Sequence, residues 1–183
     1  MFFNDYISSF ASGVPLEVYL MLLAIFCMGG LFVVVLKGIR VGGRYSLVLL
    51  LGEYIFLLFC SAVLFRDINM GERCCLRPFW SYERISKGIN VAVLLPQIIM
   101  NVIAFMPVGF IGGCVFRKHS FGRVLLLGLA LSLSIEIMQF LFQRGFAEFD
   151  DVYHNTLGAI IGYGLFSLCR IVWAHRSSVV RKY

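Results

Sequence analysis

The stretch VLLLGLALSLSIEIMQFLF, Val124 to Phe142, decides the fold, because an apolar run of membrane-crossing length carries a carboxylate, Glu136, inside it. A hydrocarbon core about 30 Å thick is crossed by about 20 mostly apolar residues at a rise of about 1.5 Å each. A carboxylate within such a run costs roughly 2.5 kcal/mol or more even on lenient insertion scales, so it faces protein or water rather than lipid. Glu136 is therefore a functional-site candidate, with a polar contact between helices as the plainer alternative.

Working outward, four more segments reach that length: Pro15–Leu36, Tyr45–Phe65, Val91–Phe116 and Val152–Ala174. Of the 183 residues 60% are hydrophobic and 14% charged, against about 25% charged in a soluble domain. Mean hydropathy is +0.89. The expectation is an all-α integral membrane protein of about five transmembrane helices, a single membrane domain over residues 1–183. Met1-Phe2-Phe3-Asn4-Asp5 lacks the positive start of a secretory signal, so the first span reads as a retained helix.

Lys and Arg set the expected orientation, since short cytoplasmic loops are enriched in them. Lys37, Arg40, Arg44, Arg117, Lys118, Arg123, Arg170, Arg176, Arg181 and Lys182 fall on one side, ten basic residues against six on the other. The six are Arg66, Arg73, Arg77, Arg84, Lys87 and Arg144, and they share their side with most of the acids. The amino terminus is thus expected outside and the carboxyl terminus in the cytoplasm, as a multi-pass protein of a bacterial cytoplasmic membrane. The net charge of +6 is a topology signal, and no nucleic-acid partner is expected from it.

Polar residues near the outer ends of the spans carry the candidate chemistry. Gln139 lies three residues beyond Glu136 on the same helical face, and Arg144 follows the helix end, where a cation complements the dipole. Asp150 and Asp151 precede the last span, where acids cap free N–H groups; Asn155 shares the face of Asp151, with His154 beside it. Gly158 and Gly162 continue that face as a small-xxx-small pair that admits a neighbouring helix. In the third span Pro96 and Pro107 bracket Gln97 and Asn101, with Gly109 just beyond, so a bent or broken helix with freed carbonyls is expected. In the outer loop Arg77 precedes Pro78-Phe79-Trp80, an interfacial aromatic group, and is placed to meet a phosphate or carboxylate. Asp150, Asp151 and His154 form too small a donor set for a metal, no Cys/His spacing resembles a zinc site, and no cofactor is expected. Cys74 and Cys75 are adjacent, a geometry ill suited to a mutual disulfide.

In order and spacing these residues resemble the VanZ-like family of bacterial membrane proteins. The likeness spans about residues 76–165 and rests on Arg77-Pro78-Phe79, Asn101, Phe105-Met106-Pro107-Val108-Gly109-Phe110, Glu136-x-x-Gln139, Arg144, Asp151, Asn155, Gly158 and Gly162. Before Pro78 the chain has Cys75-Leu76-Arg77 where the family often has Asn-Leu-Ile. The resemblance implies a role at the cell envelope, with some members linked to resistance against teicoplanin and related lipoglycopeptides. Glu136, Gln139, Arg144, Asp151, Asn155, Asn101 and Arg77 are the expected functional cluster, and Gly158, Gly162, Pro107 and Gly109 the expected packing residues.

Three functions compete. A binding or shielding protein would engage a membrane lipid, a lipid-anchored envelope component or the lipoglycopeptide itself, and needs no turnover. An enzyme acting on a lipid or lipid-linked precursor would use Glu136 as general base, but no convincing nucleophile–base pair accompanies it. A proton-coupled carrier would use Glu136 and Glu53; the chain shows no internal repeat, which a homo-oligomer would have to supply.

Overall fold

The computed structural model describes residues 43–66, 68, 74–116 and 120–180. The expected span Pro15–Leu36 lies outside them, as do Lys37, Arg40, Arg117 and Lys118. Helix α1, Gly43–Phe59, runs on into a wider π-turn, Cys60–Leu64; β1 is Cys74–Cys75 and α2 is Trp80–Ser86. Helices α3, Val91–Phe116, and α4, Ser120–Phe142, are followed by β2, Ala147–Glu148, and α5, Phe149–Val180. Four of these helical segments are long and apolar enough to cross a membrane: Gly43–Leu64, Val91–Phe116, Phe121–Phe142 and Phe149–His175.

Burial is distributed as lipid requires. Leu126, Ile171 and Trp173 point outward, whereas Glu136, Gln139, Glu148, Asp150, His154 and Asn155 are buried. Among hydrocarbon tails an outward Leu loses nothing, while each polar group must find its partners inside the bundle. The bundle therefore keeps these polar side chains inside and leaves many apolar ones facing outward.

Helices α3 and α5 meet backbone to backbone. A Cβ on Gly158 would collide with the Val102 carbonyl, one on Gly162 with that of Met106, and one on Gly109 with that of Ala159. Hydrogen at these positions lets the axes approach where any side chain would hold them apart. Gly128 of α4 closes on the Ala159 methyl from a third side, so Ala159 is completely buried.

Helix α3 stays continuous through Pro96 and Pro107, so of the bent or broken helix expected there the break does not occur. Proline 107 has no N–H for the carbonyl one turn back, and its ring crowds that turn. Tyr54 of α1 donates its hydroxyl to the neighbouring Ala104 carbonyl at 2.8 Å, a partner supplied from outside the helix. Leu51 and Val63 then pack with Phe105, Val108 and Ile111 as the apolar core.

At one end of the bundle the connections are ordered by pairing. Gln143 (φ 56°) and Gly145 (φ 74°) turn the chain out of α4, Ile68 bridges Arg144 antiparallel, and Cys74–Cys75 pairs parallel with Ala147–Glu148. Gly158→Leu and Gly162→Leu are expected to lower the melting temperature and the solubilised yield, since overpacking costs about 1–3 kcal/mol and here the obstacle is backbone. Gly122→Ala and Gly164→Ala, with open space around both positions, serve as controls expected to match the parent. Equal behaviour of all four variants in thermal aggregation would refute the close crossing.

Candidate functional site

The polar residues gather at this loop end, where the ends of α1 and α4, the starts of α2, α3 and α5 and the two short strands converge. The π-turn and end of α1 leave carbonyls without intrahelical donors. Gln139 Nε2 donates to the Ala62 carbonyl at 2.9 Å, and Arg144 Nη1 donates to the carbonyls of Leu64 at 2.7 Å and Arg66 at 3.0 Å. Arg144 thus caps the end of α1, not its own helix as the sequence suggested; α4 is closed instead by the Arg144 N–H bonded to the Gln139 carbonyl. The dipole argument holds, applied to the helix that tertiary packing brought alongside.

Glu136 is 8% exposed and faces this end of the bundle. Its Oε2 accepts the backbone N–H of Glu148 at 2.7 Å, which pins β2 over the last turns of α4. The Glu148 carboxylate in turn accepts Gln97 Nε2 at 3.0 Å and the Trp80 indole N–H at 3.1 Å. Two carboxylates twelve residues apart therefore fasten α2, α3, α4 and β2 together.

One of Asp150 and Asp151 is expected to cap its own helix; Asp150 caps α2 instead. Its Oδ1 accepts the Phe79 N–H at 2.5 Å, and its Oδ2 accepts the Ser81 N–H at 3.0 Å and the Ser81 hydroxyl at 2.5 Å. Phe79 is the residue before α2, has no side-chain cap of its own and sits at φ 60°, a strained conformation for an aromatic residue. The buried carboxylate supplies the missing cap and holds that conformation. One turn on, His154 is 1% exposed and its Nε2 lies 2.8 Å from the Tyr82 hydroxyl. Its Nδ1 lies 3.8 Å from Asp151 Oδ1, beyond hydrogen-bond distance, and is buried without a hydrogen-bond partner. Asn155 Nδ2 donates to Ser132 Oγ at 2.9 Å and ties α5 to α4.

Between these contacts lies a cavity of about 390 Å³. Gln97, Gln139, Glu148 and Asp151 supply its polar wall, and Arg66 with Ile68 flank it beside Gly145 and Phe146. A Cβ at Gly145 would lie 3.6 Å from both Arg66 Cγ and Gln139 Nε2, so glycine keeps that side of the wall thin. Among the expected cluster, Gln139 and Asp151 reach the wall, Glu136 stands behind it through Glu148, and Arg144 and Asn155 brace its helices. Asn101 is half-buried on α3 outside the wall, and Arg77 pairs with Glu83 at 2.6 Å with 71% of its side chain exposed. Glu53 lies on α1, away from the wall. Among the described residues no three His, Cys, Asp or Glu groups are placed to hold a metal.

Glu148, Arg66, Gln97 and Trp80 were not placed in the cluster from the sequence. A signal was present for the first: Glu148, Asp150 and Asp151 concentrate acids at the start of a span. Trp80 looked like an interfacial anchor, and only its hydrogen bond reveals the other use.

Glu148 lies outside the membrane-spanning segments, and its carboxyl is pushed from its ordinary 4.5 to about 7, first by burial and then by the charge of Asp151, against the opposing bonds from Gln97 and Trp80. Between those values the folded protein retains a proton that the unfolded chain has released. This contribution to stability is full below about pH 4.5 and is lost as pH rises through about 7. Glu148→Gln should flatten that part of the stability profile in thermal unfolding; parallel profiles for parent and variant would show that Glu148 titrates normally.

The VanZ/LLP1 family model matches residues 18–170. Protein VanZ of Enterococcus faecium is 38% identical over 72 residues, a match covering 39% of this chain and 45% of that protein. No solved structure matches the chain. The family match takes in every residue that lines the cavity, and the chain belongs to the VanZ/LLP1 family.

Proposed function

We propose that this protein is a multi-pass protein of the bacterial cytoplasmic membrane that binds the polar part of a membrane-anchored envelope molecule in the cavity at the loop end, and thereby lowers susceptibility to lipoglycopeptides such as teicoplanin. The observation that carries the reading is the cavity itself, lined by Glu148, Asp151, Gln97 and Gln139 at one end of an otherwise apolar bundle. Buried carboxylates in such a setting are costly, and a ligand site is a common reason for their presence. The unequal distribution of Lys and Arg favours an outward-facing loop end, where lipid-anchored drugs and cell-wall precursors are found. A second reading, an enzyme modifying such a lipid, draws on the buried contact of His154 Nε2 with the Tyr82 hydroxyl at 2.8 Å, two groups able to exchange a proton. Lipidomic comparison of cells with and without the protein separates the two, since only the enzyme changes covalent composition.

The orientation is checked with an impermeant thiol reagent on a variant retaining Cys74 alone, which is exposed on β1. Labelling of intact cells is expected; labelling only after lysis would reverse the topology. Function is checked with Glu136→Gln, Glu148→Gln and Asp151→Asn. Each keeps the shape of the side chain, and a glutamine at 136 still accepts the residue 148 N–H through its carbonyl oxygen. The variants should reach the membrane at near-parental level and lose most protection against a lipoglycopeptide. Arg144→Ala, which uncaps α1, should instead lower the amount of protein. Full protection by the three acid variants at equal protein level would refute the proposal.

A further inference from the structure

The end of the bundle opposite the cavity is basic. There α1 and α4 begin, with Arg44 and Arg123 in their first turns, and α5 carries Arg170 as it arrives. All three arginines are exposed, whereas the acids among the described residues, Glu53 midway along α1 apart, stand at or face the loop end. Helix stability does not account for the first two, since a cation in a first turn opposes the dipole.

Arg170 is the most closely placed of them. It lies within the span Phe149–His175, and its guanidinium carbon sits 5.8 Å from the centroid of the Phe166 ring, one turn nearer the middle of the bilayer. That ring is itself held in place. It meets Phe110 of α3 edge-on, at 88° and 6.2 Å between centroids, and it occupies the space where a Cβ on Gly113 would stand. A ring face attracts the cation but accepts no conventional hydrogen bond. Among the described residues no hydrogen bond or ion pair engages the Arg170 guanidinium, so the donors of a permanently charged group are left for an acceptor from outside the bundle. Leu165, Leu168 and Ile171 add exposed apolar surface on the same helix.

We infer that Arg170, held over Phe166, binds an anionic phospholipid, the headgroup phosphate accepting from the guanidinium while an acyl chain lies along the apolar surface of α5. Planar N–H pairs match phosphate oxygens, and a phosphate reaches this depth only on a lipid. Arg44 and Arg123 at the same end favour a lipid of net negative charge over a zwitterion, which brings an ammonium of its own. On the orientation proposed above the site faces the cytoplasmic leaflet. It stands whether or not the cavity holds a ligand.

The test is native mass spectrometry of the full chain released from detergent, titrated with phosphatidylglycerol and with phosphatidylcholine of the same acyl chains. The first phosphatidylglycerol should bind roughly tenfold more tightly than the first phosphatidylcholine, and Arg170→Gln should remove about fivefold of that preference, the share of one arginine at a charged bilayer surface. Phe166→Leu, apolar but without a ring face, should weaken it about threefold, and Arg44→Gln, the control for diffuse charge, less than about twofold. Glycerol phosphate at millimolar concentration should displace nothing. Equal binding of the two lipids would overturn the inference, as would equal losses in Arg170→Gln and Arg44→Gln, which would reduce the site to a diffuse basic surface. Parental binding by Phe166→Leu would overturn the held cation, and displacement by glycerol phosphate would replace the lipid with a soluble anion.

Discussion

The contact on which the remaining structure depends is the backbone approach of α3 and α5 at Gly158, Gly162 and Gly109. In lipid no hydrophobic force drives one apolar helix against another, so association rests on close packing and on hydrogen bonds between helices. Glycine provides the first directly, since the carbonyls of Val102 and Met106 occupy the space where a Cβ would stand. The register this crossing sets brings the starts of α3 and α5 together. Gln97 thereby reaches Glu148, and Asp151 enters the wall of the cavity.

Polar side chains at the loop end act across elements more than within them. Asp150 caps α2 from α5, Arg144 and Gln139 serve the carbonyls at the end of α1, and Glu136 holds the main chain of β2. Each bond satisfies a group that would otherwise be orphaned at a helix end or in a short connection. Helix termini in a bilayer protein are the natural place for this, because the regular middle of each helix already satisfies its own backbone. The same convergence of termini encloses polar space, so the scaffold and the candidate site are built from one set of residues.

The sequence by itself determined the apolar helices, the polar residues that cannot face lipid, the glycine face of the last helix and the family. These follow from transfer energies and local periodicity, which act residue by residue: the expected Val91–Phe116 span is helix α3 to the residue, and Phe142 ends α4 as expected. Which polar groups would meet was decided only by tertiary structure. Arg144 and Asp150 each bear a charge suited to the near end of their own helix, and each serves another helix, because packing brought a terminus with greater need alongside. Glu148, Gln97 and Trp80 lie 51 or more positions apart in two of their three pairings, and no local pattern relates them. A hydrogen bond across a bundle depends on the crossing and rotation of whole helices, and these are set by the sum of contacts along the helices, of which the residue types at its two ends are a small part.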